Sequence, residues 1–413
     1  MPLSQFFPKL IFFLLLVGKV NAQGRPFIFT WKVDEPDSYL NIVVWDNIYE
    51  VDYLIDYGDG TEPEQRTMDI YHRYSDPGIY TVKVWGKLPN VVVPRTLAKH
   101  MHSLISWGDT QWKTMQGAFK DCNNMTYEVS DPINDVPNLD SVTSMMFMFQ
   151  NARSINGDFS GWDVSNVRDM RYLFKDASSF NGNISTWDVS KVRHMDGLFE
   201  EATLFNGDIS LWDVGIVMSM SNMFSGAQSF EGDLSAWNVQ RVTDFSNMFK
   251  GAVQFSSDVS NWDVGSGNNF SRMFVGALHF SSDVSGWDVS HGQNFSNMFA
   301  GCQQFNSAVS DWDMRKAQDL SGMFIAASSF DQSLGSWQLL SVTSLNWILS
   351  KTNLSIANYD ATLKGWSQLP VNQLPKGISV GVDGLKHSME GTSYRTLLMN
   401  RSGWQFWGDS LDW

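Results

Sequence analysis

The sequence is short of several things, and each shortage excludes a class of protein. Two cysteines, Cys122 and Cys302, stand among 413 residues, so no disulfide framework carries the fold and stability must come from packing. Charged residues are only 18%, and 29 Lys and Arg face 44 Asp and Glu, for a net charge of −15. Phosphate backbones and anionic bilayers both demand clustered cations, so neither a nucleic acid nor docking on an anionic membrane is expected. Beyond residue 22 no apolar run approaches the roughly 18 residues of a membrane-spanning helix. Nucleophile-elbow, Walker and dinucleotide fingerprints are missing. The seven histidines, His72, His100, His102, His194, His279, His291 and His387, show no metal-protease spacing, although His100 and His102 are close. His194 and His291 are expected on the solvated surface. A catalytic centre needs a base, a nucleophile or a paired acid in one cleft. No such set is legible, so the chain is read as non-enzymatic, with no catalytic, cofactor-binding or metal residue assigned.

What is present in excess is aromatic: 18 Trp and 28 Phe, with 20 Met beside them. Such a chain can fill large cores, which argues against disorder. Its first 22 residues read differently. Lys9 precedes the apolar run Leu10–Val17, and Val20-Asn21-Ala22 offers small residues before a cut at Gln23. This is the layout of a secretory signal peptide, too short to span a bilayer. Removing it takes Lys9 and Lys19 and no acid, which moves the charge from −15 to −17. A soluble, exported protein is expected, secreted or at the cell surface.

Aligning the chain on itself accounts for the Trp. Trp162, Trp187, Trp212, Trp237, Trp262, Trp287, Trp312 and Trp337 recur every 25 residues without slippage. Phe149, Phe174, Phe199, Phe224, Phe249, Phe274, Phe299 and Phe324 keep the same period, and a second Phe column runs from Phe180 to Phe330. Ala152 to Ala327 form a small-residue column with Cys302 in one place. A period in this range means a solenoid or a propeller, and about 40 residues per propeller blade is too many. Within one unit Val192, Met195, Phe199, Ala202 and Phe205 follow helical spacing, while Ile209, Trp212 and Val214 suit a short extended stretch. The expected fold is therefore an α/β solenoid, each coil a helical arc plus a short parallel strand. Strands stack at about 4.8 Å and helices at about 8–10 Å, so such an array must curve, like a leucine-rich-repeat arc. Met115, Phe119 and Cys122 match Met145, Phe149 and Ala152 at a spacing of 30, which marks an irregular first coil. Cys122 and Cys302 then lie seven coils apart, at least about 34 Å, far beyond disulfide reach. Two buried free thiols are expected.

Residues 23–88 form a different module. Leu54-Ile55-Asp56-Tyr57-Gly58-Asp59-Gly60-Thr61 places a strand before a hairpin signal, and Tyr80, Val82 and Val84 alternate with polar residues after the Pro77-Gly78 turn. A small β-sandwich is expected. The organisation is then 1–22 signal peptide, 23–88 sandwich, 89–141 linker and irregular cap, 142–341 eight repeats and 342–413 C-terminal cap.

Tyr57-Gly58-Asp59-Gly60-Thr61, His72-Arg73-Tyr74 and Pro77-Gly78-Ile79-Tyr80-Thr81-Val82 resemble the PKD domain signature. Units such as Phe180-Asn181-Gly182-Asn183-Ile184-Ser185-Thr186-Trp187-Asp188-Val189 are similar to the repeats of BspA-like surface proteins, a family also described as a domain of unknown function first noted in mycoplasma lipoproteins. Trp107-Gly108-Asp109 with Trp112, and Asn358-Tyr359-Asp360 with Gly365-Trp366, are similar to that family's array start and end. The resemblance implies a secreted or cell-surface protein with a leucine-rich-repeat-like array, in a family linked to adhesion and protein binding. Two departures bear on surface retention: no Cys stands at the cleavage point, and no sorting domain is recognised at the C-terminal end.

Three constellations invite a chemical reading. The Trp column could stack on sugars, but invariance beside Phe and Ala columns favours a buried ladder. Two acidic columns, Asp158, Asn183, Asp208, Asp233, Asp258, Asp283 and Asp163, Asp188, Asp213, Asp263, Asp288, Asp313, could chelate Ca²⁺, or could accept backbone N–H bonds in repeated turns. Replacement by Asn183 and Asn238 suits the second role, so no cofactor is expected. The Gly58-Asp59-Gly60 turn is read as a hairpin before a metal loop. Asn-x-Ser/Thr sequons begin at Asn124, Asn183, Asn269, Asn294, Asn353 and Asn400, as is common in a composition rich in Asn and Ser.

What varies is the residue before each Trp, and the pair exemplified by Arg168-Asp169, Arg193-His194, Met218-Ser219 and Gln318-Asp319. A constant core with variable exposed columns is how repeat proteins present a binding surface, although drift at solvated positions gives the same mixture. The expected function is adhesion to, or binding of, extracellular protein or glycan partners. The alternatives are a structural component of a coat or matrix, or an accessory module of a polysaccharide-degrading system. Ligand, binding face and oligomeric state are not legible.

Overall fold

The computed structural model describes residues 24–412, so the expected signal peptide lies outside the described residues. The chain divides into two compact units, Met1–Val167 and Arg168–Trp413.

The first unit is built on β1 (Phe27–Val33), whose Phe27, Phe29, Trp31 and Val33 are buried. Around it lie β2 (Tyr39–Ile42), β3 (Asp52–Asp56), β4 (Glu64–Arg66), β5 (Ile70–Arg73), β6 (Gly78–Lys87), β7 (Met101–Ser106) and β8 (Thr126–Tyr127). Six strands make one sheet in the order β4-β3-β6-β1-β7-β8, and β2 pairs with β5 in a second. β6 pairs antiparallel with β1 from Phe27↔Val84 to Val33↔Gly78, and its Val82 and Val84 face the core. The boundary expected at residue 88 does not hold. β7 and β8 belong to stretches read as linker and cap, yet β7 pairs antiparallel with β1 and β8 parallel with β7. The physical reason is that β1 would otherwise leave one edge of backbone N–H and C=O groups open beside a buried aromatic core.

In the same unit the irregular coil is visible as a register. Gly117, Phe119 and Asp121 donate their N–H groups to the carbonyls of Met146, Met148 and Gln150, each 29 residues on. The five extra residues fall in a loop held by Asp131, which accepts from the Ile133 and Asn134 N–H groups, and by Asp135, which accepts from those of Trp107 and Gly108.

The second unit carries the regular coils, and they contain no helix. From residue 168 to residue 355 the chain is a succession of turns joined by single parallel bridges, Asp169↔His194↔Ser219↔Asp244↔Asn269↔Asn294↔Asp319↔Ser344. The expected helical arc fails for a definite reason. An α-helix needs each N–H to reach four residues back. Here alternate N–H groups do two different things. Gly197, Phe199 and Glu201 donate to Ser221, Met223 and Ser225 of the next coil, while Leu198, Glu200 and Ala202 donate three residues back to Met195, Gly197 and Phe199. The outward donors include residues in the left-handed region, Gly197 at φ 60° and Glu201 at φ 57°. The pattern recurs at Asn222 and Gly226, Asn247 and Gly251, Arg272 and Gly276, and Asn297 and Gly301. Two left-handed residues four apart in each coil are incompatible with a right-handed helix. The spacing 3, 4, 3, 3 is that of chained three-back turns, which place side chains on one face much as a helix does. With no helix in the coil, the mismatch of strand and helix spacing no longer argues for curvature.

The columns pack as ladders. Phe174, Phe199, Phe224, Phe249, Phe274, Phe299 and Phe324 stack with ring centroids 5.5–5.9 Å apart. Each indole Nε1 of Trp212, Trp237, Trp262, Trp287, Trp312 and Trp337 donates to a carbonyl 28 residues back, at 2.8–3.2 Å. That carbonyl also accepts the backbone N–H of its own coil's Trp: Leu234 binds both Trp237 N and Trp262 Nε1.

The C-terminal cap takes over this ladder. It comprises α1 (Ile356–Gln368), β9 (Ser379–Gly381), β10 (Lys386–His387), α2 (Met389–Ser402), β11 (Gln405–Trp407) and β12 (Ser410–Leu411). Ser355 caps α1 by accepting the Asn358 N–H, and Ser388 caps α2. Trp366 in α1 occupies the next rung, its Nε1 2.9 Å from the Leu334 carbonyl. The helix reaches so close because Gly365 faces Gly335, where a Cβ would lie 2.1 Å from the Gly335 oxygen. Leu345 bridges to Val380 of β9, and β9 pairs in parallel with β11, so the ladder closes on two true strands.

Cys122 and Cys302 are both free and buried, and burial raises both thiols far above their ordinary range. We predict that a thiol reagent modifies neither in the native protein and both after unfolding, by mass spectrometry. Trp262→Phe keeps a smaller aromatic ring but deletes the bond to Leu234 and leaves a small void, and should cost about 1–3 kcal/mol. Trp262→Ala should cost about 3–5 kcal/mol, and urea midpoints should rank the two in that order.

Candidate functional site

Most of the fixed polar residues are consumed by the backbone. In the first acidic column Asp158, Asn183, Asp208, Asp233, Asp258 and Asp283 accept the N–H of the residue two positions on, at 2.9–3.2 Å. The second column does the same, from Asp163 to Asp313, with Asn238 accepting the Gln240 N–H. Both are repeated Asx turns, for which Asn serves as well as Asp. Some also tie coils together: Asp258 accepts from the Ser282 hydroxyl and Asp283 from the Ser307 hydroxyl.

A third such column was not recognised from the sequence. Asp169, Ser219, Asp244, Asn269, Asn294 and Asp319 each accept the N–H two residues on, at 2.9–3.4 Å, from within the bridge ladder. The signal was available, since only Asp, Asn, Ser and one His occupy the place. The exception is His194, which is half-buried with a bridge on each side, not the solvated residue expected; His291 is exposed. The variable pair thus divides. Its second member is structural. Its first member is exposed in Arg168, Arg193, Met218, Asn268, Gln293, Gln318 and Thr343, and so are the residues before the Trp column from Thr186 to Ser336, with Leu211 88% open to solvent.

The first unit holds two polar clusters. The Gly58-Asp59-Gly60 segment lies in the loop of the β3–β4 hairpin, where Asp59 accepts from Thr61 N and Oγ1 and lies 2.6 Å from His72 Nε2. His72 stacks on Tyr57, whose hydroxyl reaches Glu64. All of Asp59's ligand-like geometry is thus spent inside the protein. A cleft of about 410 Å³ is lined by Tyr49, Glu50, Lys87, Asp109, Gln111 and Lys113 among others. Its carboxylates are bound by cations, Glu50 by Lys87 at 2.7 Å and Asp109 by Arg25 at 3.0 Å. The Arg25 backbone N–H and guanidinium hold Asp109 below the usual carboxylate range. A general acid or base needs a shift in the opposite direction, toward neutrality. In the second unit burial raises Asp196, which meets the Ser219 hydroxyl. No histidine–nucleophile pair accompanies it among the described contacts. The described residues contain no group of three or more metal-ligating side chains and no helix long and apolar enough to cross a membrane.

The Asx columns make the fold acid-sensitive. Backbone N–H bonds hold Asp208, Asp233, Asp258 and Asp283 below the ordinary carboxylate value of 3.8. A folded-state value below the unfolded one means that ionisation stabilises the fold above about pH 4, and that this contribution is lost as pH falls through the folded-state values. The urea midpoint should therefore be flat from pH 7 to about 5 and fall below about 4. Asp258→Asn keeps the acceptor but loses the charge, so it should lower the midpoint slightly at pH 7 and soften the acid loss, whereas Asp258→Ala should lower the midpoint further at pH 7 and lower it at acid pH as well.

A family model described as "Mycoplasma protein of unknown function, DUF285" matches four overlapping segments, 113–217, 181–277, 208–307 and 268–366. No curated protein matches, and no solved structure matches. The matched segments run across the irregular coil, the regular coils and the first helix of the cap, more than half of the chain. The chain belongs to the DUF285 repeat family.

Proposed function

We propose that the chain is an exported, non-enzymatic binding protein whose 25-residue coils form a solenoid scaffold. One observation carries this reading. The invariant columns are used up by the core, by the coil-to-coil ladder and by Asx turns, while one adjacent column carries exposed Arg193 and Met218, half-buried Thr243, then exposed Asn268 and Gln293. A surface that changes chemistry coil by coil over a constant frame suits recognition of an extracellular protein or glycan. The N-terminal sheet, with its PKD-like motifs, then serves as a spacer, and residues 1–22 direct export. The net charge of −15 supports partners other than nucleic acids and anionic membranes.

The test is a glycan and matrix-protein array probed with residues 23–413, with and without EDTA. Saturable binding to at least one glycan or matrix protein, indifferent to EDTA, is the expected outcome. Binding abolished by EDTA would assign Ca²⁺ to the acidic columns. No binding at all, together with self-assembly of the protein, would replace this reading by a structural role in a coat.

A further inference from the structure

Tryptophan is a core residue almost everywhere in this protein. Of the described tryptophans only Trp347 and Trp407 are open to solvent, each 62% exposed. They are far apart in sequence and share one small area of the cap. Leu345 bridges to Val380, Val380 pairs with Phe406, and Gly381 pairs with Trp407. Leu345, Val380 and Phe406 all point into the core. By strand alternation Gly381 and Trp407 face outward together. A Cβ on Gly381 would point at Trp347, 2.2 Å from its backbone N and 3.2 Å from its ring atom Cδ1. The Trp347 backbone and the near edge of its ring therefore cover Gly381 on the outward side, which buries the glycine, and Trp407 follows on the neighbouring strand of the same side. Trp347 sits in the left-handed column at φ 56°, where the five coils before it have Asn222, Asn247, Arg272, Asn297 and Gly322 and where the aromatic members, Phe147 and Tyr172, are half-buried, so the coil repeat itself does not call for an exposed indole. Nor does the core require either ring.

We propose that Trp347 and Trp407 form an aromatic platform that binds a neutral pyranose chain. This rests on the binding reading above and names its site and ligand class. An exposed ring offers a sugar its apolar face, and the outward row adjoining the pair supplies hydroxyl and amide groups: Ser379 pairs with Gln405, and Asn346 precedes Trp347. Alternating apolar and hydrogen-bonding surface matches the C–H face and equatorial hydroxyls of a pyranose. Two rungs of a parallel ladder span roughly 10 Å, more than a single sugar ring, so an oligosaccharide is favoured over a monosaccharide. The acidic chain disfavours uronate-rich or sulfated glycans.

The experiment titrates the full-length chain with cellohexaose, chitohexaose, laminarihexaose and mannohexaose, and separately with phosphatidylcholine vesicles, by calorimetry and Trp fluorescence. At least one hexasaccharide should bind, and more tightly than its monosaccharide. Trp347→Ala and Trp407→Ala should each weaken it about tenfold or more, with Trp407→Phe intermediate. Unchanged urea midpoints and buried thiols show that the variants remain folded, and Ile48→Ser, at an exposed apolar residue of the first unit, should leave saccharide binding intact. The proposal is overturned if no hexasaccharide binds, if binding survives both Trp→Ala changes, or if the two rings instead drive vesicle binding. Array binding to a protein or glycan that survives both changes would keep the broader reading and remove this one. An array with no binding at all would remove both.

Discussion

One carbonyl per coil holds the array together. The oxygen that closes the turn before each Trp accepts two bonds at once, the backbone N–H of that Trp and the indole N–H of the Trp one coil later. A buried indole N–H must find an acceptor, and in a stack of coils with no helix the preceding coil offers the nearest one. That requirement fixes the period. Inserting a residue between the carbonyl and the next ring would break a buried hydrogen bond and tilt the ring out of its ladder. This accounts for the unslipped spacing of the six tryptophans from Trp212 to Trp337, while Trp162, at the start of the array, donates to the Tyr127 hydroxyl instead. It also accounts for where the array ends: Trp366 makes the same bond from a helix, so the helix can replace a coil without leaving the Leu334 carbonyl on a single partner.

The rest of the backbone is satisfied by division of labour. Alternate N–H groups go outward to the next coil, and those between them close turns within the coil. The Asx columns bind the N–H groups at the bends, where neither pattern reaches. A coil built this way has neither the self-contained bonding of a helix nor the continuous pairing of a strand. Its stability is therefore held between neighbours, as expected of a one-dimensional repeat. It follows that the fixed residues say little about ligands, because nearly all of them are needed to close the coil.

The sequence made the columns, the irregular first coil and the free thiols legible, because each depends on spacing alone. It did not make the local conformation legible. Met195, Phe199, Ala202 and Phe205 share a face in a helix and in a chain of three-back turns alike. What separates the two is the left-handed φ at Gly197 and Glu201. That column holds Gly197, Asn222, Asn247, Asn297 and Gly322, and the one four places on holds Gly226, Gly251, Gly276 and Gly301, all types that tolerate a left-handed φ, but Tyr172, Arg272 and Trp347 interrupt the first and Glu201 and Ala326 the second. The strand β7 was hidden for another reason. Met101–Ser106 pairs because β1 has an open edge, which is a property of the partner and not of the segment.

The exposed tryptophans show where column reasoning reaches its limit. A residue stands out in a repeat by comparison with its counterparts 25 places away. Trp347 has such counterparts, polar or Gly from Gly197 to Gly322 but aromatic at Phe147 and Tyr172, and it falls in the last coil, where the pattern is already fading into the cap. Trp407 has none. Only the pairing of β9 with β11 brings the two together, by adding two parallel rungs after the last coil. The cap is thus more than an end to the hydrophobic core. It continues the ladder with sequence free of the 25-residue constraint, since no further coil needs to stack on it. Free of that constraint, it can spend an indole on solvent where each coil must spend one on its neighbour. For this reason the departure from the repeat, and not the repeat itself, is the more informative place to look for recognition chemistry in this chain.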